Sequence, residues 1–291
     1  MKLGEFYNLA VRYGIDKDPR KKSKIKSFPD TAILHGKPDT KIKSILAGID
    51  IEVGELLLAD KIRRERGLDL VLTHHPEGGA WARFYQVMKL QADMFSNLGI
   101  PKDVAEQMID ARMLEVERRV MPNNHMRAVD VARILDIPFM CCHTPADNHV
   151  FRFLSALFTR KKPGNVRDLI DILMGIPEYR MAEEDGAGPK LIAGSPYRKT
   201  GKIFVEMTGG TEGPREIYEK IYKKGIRTIV CMHLSEEHFK KVKDANLNVV
   251  IAGHISSDTL GLNLLLDRIE KEECLEFIDC SGFRRVRRQT K

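Results

Sequence analysis

The sequence has no long apolar run. Stretches such as 68–72 and 249–252 fall far short of the roughly 20 residues that span a bilayer, which excludes a helical membrane anchor. The first residues, Met1-Lys2-Leu3-Gly4-Glu5, lack the apolar segment of a secretory signal, so a cytoplasmic location is expected. There is no CxxC pair, and the five cysteines (Cys141, Cys142, Cys231, Cys274, Cys280) are odd in number. Adjacent Cys141 and Cys142 would face opposite ways along a strand, which suits neither a disulfide framework nor a thiolate cage; buried free thiols are expected. Aromatic residues are sparse at 7%, with one tryptophan. None interleaves the basic run Arg20-Lys21-Lys22-Ser23-Lys24-Ile25-Lys26, and no nucleic-acid motif accompanies it or the tail Arg284-Arg285-Val286-Arg287-Arg288. A solvated surface is therefore the leading account of the net charge of +7, with specific nucleic-acid binding the lesser one.

What is present reads as a globular α/β chain. Its 291 residues, 43% hydrophobic and 31% charged, can bury a sizeable core. Strand-like segments at 42–49, 68–72, 137–142, 202–206, 227–231, 247–252 and 275–278 alternate with helix-like segments at 54–66, 214–223, 236–244 and 259–271. That alternation predicts mainly parallel sheets flanked by helices. The stretch 80–135 interrupts it with helical periodicity and no strand. There Trp81, Phe84, Tyr85, Met88, Ala92 and Phe95 form an apolar stripe suited to packing on the sheet or on a partner subunit. The Gly- and acid-rich segment 181–189 reads as a surface loop. It divides an N-terminal α/β half, 1–180 with the helical insertion at about 80–135, from a C-terminal half, 190–291.

Three strands end in histidine. Val71-Leu72-Thr73-His74-His75-Pro76 runs an apolar strand into two imidazoles and a proline that stops the ladder. Phe139-Met140-Cys141-Cys142-His143 is followed four residues on by Asp147, and Ile251-Ala252-Gly253-His254 four residues on by Asp258. In a parallel sheet such residues gather at the carboxyl edge of the strands. Any one strand-end histidine is more often structural than a ligand; two in tandem with two HxxxD segments favour metal. Imidazole and carboxylate donors without thiolate suit Zn, Mn, Fe, Co or Ni. Glu77 is a candidate general base or acid, with a plain loop glutamate as the alternative. Asp50 could face the same pocket or start the next helix. Asp258 could ligate a metal or merely cap the helix 259–271. His233 and His238 flank a further strand–helix junction and could meet a substrate anion. His35, His125 and His149 carry no context beyond surface histidines. The turn Thr208-Gly209-Gly210-Thr211 is neither a GxGxxG nor a P-loop.

In order and spacing, Thr73-His74-His75-Pro76, His143-Thr144-x-x-Asp147 and Gly253-His254-x-x-x-Asp258 resemble the NIF-three-like family of dinuclear metal proteins, whose members are often called GTP cyclohydrolase 1 type 2 homologues. The resemblance runs from about residue 42 to residue 280. It implies a NIF-three-like fold of two α/β halves with the metal site between them, and two divalent ions per chain. The implied ligands are His74, His75, Asp147, His254 and Asp258, with His143 beside the metals as a catalytic candidate. It also implies a homo-oligomer, a hexamer among the expected sizes. Three departures stand out: Asp258 occupies a position usually held by Glu; Asp147 follows His75 by 72 residues, a longer gap than the family's; and no Trp-Asp-Asn-like element precedes the first strand. The expected function is metal-dependent hydrolysis of a nucleotide or phosphoester, GTP ring-opening included. The competing reading is a non-catalytic, metal-binding regulatory or partner-binding protein.

Overall fold

A computed structural model describes residues 1–20 and 25–288. Of the first basic run, residues 21–24 lie outside the described residues. The chain forms two compact units. Unit 1 comprises Met1–Val87, Met113–His149 and Gly261–Lys291; unit 2 comprises Met88–Arg112 and Val150–Leu260.

Unit 1 holds a five-stranded sheet in the order β1-β4-β3-β2-β9, made of β1 (Thr31–His35), β2 (Ser44–Gly48), β3 (Leu70–Thr73), β4 (Phe139–Cys142) and β9 (Glu276–Asp279). The pairs β4–β3, β3–β2 and β2–β9 are parallel, while β1 runs antiparallel to β4 at the edge. β3 and β4 are buried at every position, as expected of central parallel strands covered on both faces. The strand period of two sorts their side chains cleanly. Ile45, Ala47, Leu70, Leu72, Met140 and Cys142 face α1 (Leu3–Lys17) and the later part of α12 (His254–Ile269) through Leu3, Phe6, Ala10, Leu262, Leu265 and Leu266. Leu46, Val71 and Phe139 face α2 (Val53–Arg66) and α6 (Arg127–Leu135) through Leu56, Ala59, Ile62, Ala128, Val129 and Ala132. Each of the valines, leucines, isoleucines, phenylalanines and methionines among them contributes about 1.5–3 kcal/mol by leaving water. Helix α2 starts with a capping box in which Glu52 N–H donates to Glu55 at 2.9 Å, and it stops at Gly67 in the left-handed region, φ 84°.

Unit 2 repeats the plan with four strands, β5 (Lys190–Ala193), β6 (Lys202–Glu206), β7 (Ile226–Cys231) and β8 (Asn248–Ile251), in the order β5-β8-β7-β6. β6, β7 and β8 are parallel; β5 is antiparallel to β8. The α/β class with mainly parallel sheets is thus as expected, with one antiparallel edge strand in each sheet. Helices α10 (Ile217–Lys223) and α11 (Glu236–Asp244) follow β6 and β7. From residue 78 to 135 the described chain is helical without a strand: α3 (Gly78–Ala82), a 3-10 turn (Phe84–Met88), α4 (Lys89–Asn97), α5 (Lys102–Val120) and α6. The aromatic stripe is largely spent on internal packing, with Phe84, Met88 and Phe95 buried and Trp81 half-buried.

Several local expectations change. Residues 181–184 end a helix, α9 (Pro177–Glu184), so the expected loop begins only after it. Helix α12 starts at His254, which places Asp258 inside its first turns and removes the simple cap at residue 258. His149 is buried and so is not a surface histidine. Among the cysteines, Cys141, Cys142 and Cys231 are buried free thiols, whereas Cys274 is exposed. The C-terminal arginines fold back on α12: the Arg285 side chain is 4% exposed and pairs with Asp267 at 2.5 Å and with Glu270, and Arg287 also meets Glu270 at 3.1 Å. Among the described residues no helix is long and apolar enough to cross a membrane.

Candidate metal site

The unit 1 cluster grows from the carboxyl ends of β3 and β4. His74 N–H donates to Gly48 O and His75 N–H to Ile49 O, both at 2.9 Å, so the chain beyond β3 stays clamped to the end of β2. Pro76 then ends the ladder. Thr73 Oγ1 donates to Ile49 O at 3.0 Å, which turns the segment tightly enough for the two imidazoles to share a side, with ring centroids 5.3 Å apart. His143, directly after β4, lies 4.8 Å from the His74 ring and 5.9 Å from the His75 ring. Phe84 packs edge-on against it at 5.4 Å. Helix α7 (Thr144–Lys161) begins at once, and the i,i+4 spacing brings Asp147 back over the cluster. Asp147 Oδ1 is 3.4 Å from His74 Nε2, and Oδ2 is 3.6 Å from His143 Nδ1.

Each of the three imidazoles is oriented through Nδ1. That atom of His74 lies 3.1 Å from the Cys142 carbonyl, that of His75 2.6 Å from Asp50 Oδ1, and that of His143 2.8 Å from Asp30 Oδ2. Carbonyls and carboxylates only accept, so the proton sits on Nδ1 and the lone pair on Nε2, the arrangement of a metal-ligating histidine with an oriented ring. His74, His75 and His143 can each offer a ligand atom within 4.8 Å of one another. Asp147 is 3% exposed and its Oδ1 makes no hydrogen bond. A buried carboxylate oxygen left so is costly, and a cation would complete it. The donor set therefore fits a divalent ion.

Glu77 stands at the N-cap position of α3, two residues beyond His75, and its side chain makes no cap hydrogen bond there. Burial pushes its carboxyl up, Glu52 and Asp50 add to the shift against Arg127 and His75, and it reaches about 7. Asp50 belongs with His75, while Glu52 caps α2. Asp30 had no signal in the sequence. Only the antiparallel register of β1, with Thr31 opposite Cys142, brings Asp30 beside His143.

In unit 2, His254 Nε2 lies 3.4 Å from Asp258 Oδ2 at the start of α12; the histidine side chain is 40% exposed and the aspartate is buried. His233 stands T-shaped against His254 at 4.9 Å between centroids and faces Glu212 at 3.4 Å. The hydrogen bond to Glu212 raises the His233 imidazole against its own burial. Burial alone would raise Glu212, but the bond and charge of His233 and the Ser235 N–H bring it down to about 2. The Thr208-Gly209-Gly210-Thr211 turn needs its glycines: φ is 95° at Gly209 and 89° at Gly210, and buried Gln91 donates to the carbonyls of Gly209 at 2.9 Å and Thr211 at 2.6 Å. Glu206 ends β6 with Oε2 buried and without a hydrogen bond; burial raises its carboxyl to about 7, with Glu212 adding to the shift against the Gly213 N–H and His233. His238 is buried between Ser235 Oγ at 2.7 Å and Gly213 O at 2.9 Å, a structural histidine rather than a ligand-facing one.

No protein-family model matches the chain, and no curated protein does. Solved structures do. A NIF3 superfamily protein from Sphaerobacter thermophilus superposes with a TM-score of 0.79 at 25% identity, over 96% of this chain and 98% of that one. Reduced HcgD from Methanocaldococcus jannaschii gives 0.59 at 16% identity, over 96% and 97%. The protein ybgI, described as of unknown function, gives 0.55 at 14% identity, over 98% and 100%.

Proposed function

We propose that this chain, which is NIF3-like in fold as its structural neighbours are, binds divalent metal and is a metal-dependent hydrolase of a nucleotide or phosphoester. The observation that carries the reading is the unit 1 cluster: three imidazoles oriented through Nδ1, with the buried Asp147 carboxylate against two of them. His74, His75 and Asp147 are the proposed ligands there. In unit 2, His254 and Asp258 are proposed as ligands on the resemblance and on their own 3.4 Å approach, which makes them a chelating pair. Two ions per chain accommodate this many N/O donors better than one four-coordinate ion with an open position. Zn, Mn, Fe, Co and Ni all suit such donors. A divalent ion held there supplies Lewis acidity, which polarises a carbonyl or phosphoryl oxygen and acidifies water.

The chain's own residues supply the proton handling. Glu77, held near neutrality by burial, can take or return a proton at pH 7, as a general acid–base group must. His143 keeps its proton on Nδ1 toward Asp30, leaving Nε2 as the basic nitrogen. GTP ring-opening is one member of the proposed substrate class.

The test begins with elemental analysis of protein purified without chelator and after reconstitution with Mn, Zn and Fe in turn. The loaded forms are then screened against nucleotides and phosphoesters. About two equivalents and turnover of one such substrate are expected. Metal content near zero after reconstitution sinks the reading; full metal content with no turnover assigns the chain to the non-catalytic, regulatory alternative.

A further inference from the structure

Asp30 lies in the turn before β1 and is fully buried. One of its oxygens, Oδ2, gathers three groups: Thr144 Oγ1 at 2.6 Å, His143 Nδ1 at 2.8 Å and the Thr144 backbone N–H at 3.2 Å. The next residue holds the same partner by its backbone, since His143 N–H donates to Thr31 Oγ1 at 3.2 Å. The Asp30-Thr31 dipeptide thus grips His143 at both ring and main chain. A simpler role competes. The carboxylate also meets the first residue of α7, and a cap supplied from another segment would by itself account for a buried charge at a helix N-terminus.

The imidazole is what the cap leaves unexplained. His143 Nδ1 faces two carboxylates, Asp30 at 2.8 Å and Asp147 at 3.6 Å, and the nearer one takes the proton. By doing so Asp30 keeps His143 from engaging Asp147, the residue proposed to ligate metal. We propose that Asp30 is the positioning residue of the unit 1 cluster, holding His143 in the Nδ1–H tautomer, with Nε2 as its basic nitrogen and the Asp147 carboxylate left to the ion. The tautomer stands on geometry alone; its consequence for metal affinity rests on the proposed function.

Nitrogen-15 NMR of the full-length, metal-free protein reads the tautomer directly, with the His143 signals assigned by their loss in His143→Gln. At about pH 8.5, well above the ordinary histidine range, the wild type should show Nδ1 protonated and Nε2 bare. Asp30→Asn should lose the single tautomer and bind Zn or Mn about 10- to 100-fold more weakly by calorimetry, as loss of an orienting partner does. Thr144→Val removes a hydroxyl from the same oxygen but leaves the carboxylate in place. It should keep both the tautomer and the affinity, even if the protein melts earlier. An Nε2–H tautomer in the wild type overturns the inference, as does Asp30→Asn with an unchanged tautomer. If Asp30→Asn does not fold, the wild-type and Thr144→Val spectra decide. A wild type with the expected tautomer and no affinity for metal upholds Asp30 and sinks the proposed function.

Discussion

Glu77 and Glu206 reach the same value, about 7, in different surroundings, and the two lead to different measurements. Glu77 sits two residues from His75 and is the proposed general acid–base group, so its test is turnover. Glu77→Gln should lower turnover by about 10²–10⁴-fold while the metal content of the protein is unchanged. Wild-type turnover in that variant would reduce Glu77 to a loop residue at the N-cap position of α3. Glu206 bears on stability. Its folded-state value lies above the unfolded value near 4.5, so the folded chain favours the neutral form. The associated stability is complete below about pH 4.5 and falls by about 1.4 kcal/mol per pH unit as the pH rises toward 7. Glu206→Gln keeps the shape without the charge and should flatten this decline, so that the variant is the more stable protein at pH 8. Urea unfolding from pH 4 to pH 8 reads the effect; parallel curves for the two proteins would show that Glu206 is ionised in the fold at no cost.

At the scale of the element, the C-terminal arginines change character. Read as a string they are a basic patch; in the fold the Arg285 side chain is buried between Asp267 and Glu270 of α12. Arg285→Ala takes the shared guanidinium from both carboxylates, leaving Glu270 to Arg287 and Asp267 to the Arg288 N–H, and should cost about 3 kcal/mol, toward the low end for a broken buried pair. A cost below about 0.5 kcal/mol in urea unfolding would mean that desolvation already cancels the attraction. The same elements show which parts of the structure were legible. β2, β3, β4, β7 and β8 could be read because buried parallel strands are largely continuous apolar runs, and the parallel edge strands β6 and β9 because Ile203-Phe204-Val205 and Phe277-Ile278 still mark them. The edge strands β1 and β5 could not: Thr31-Ala32-Ile33-Leu34-His35 and Lys190-Leu191-Ile192-Ala193 are short and half-exposed, and their antiparallel pairing leaves no mark in local sequence. Asp30 was hidden for the same reason, since its neighbour His143 lies 113 residues away and is reached only across that pairing. The histidines and Asp147 were legible because strand end and helix start lie close together in sequence.

For the whole molecule, the aromatic stripe at 81–95 no longer argues for association, because most of it is buried within the chain. The expectation of a homo-oligomer now rests on the resemblance alone, and light scattering at micromolar concentration tests it: a mass of several chains is expected, and 33.1 kDa would refute it. One feature of unit 1 bears on how the protein is made. β2 takes β9 as its neighbour, with Ser44 opposite Glu276 and Ala47 opposite Asp279, and Phe283 joins the same core as Leu3 and Phe6. On a ribosome adding about 5–20 residues per second, β2 emerges roughly ten to fifty seconds before its partner exists. Throughout that interval an apolar strand carries an open hydrogen-bonding edge. Nascent chains stalled short of residue 276 should therefore be the forms that chaperones hold and that aggregate when chaperones are scarce, whereas chains released after Phe283 can close the sheet at once.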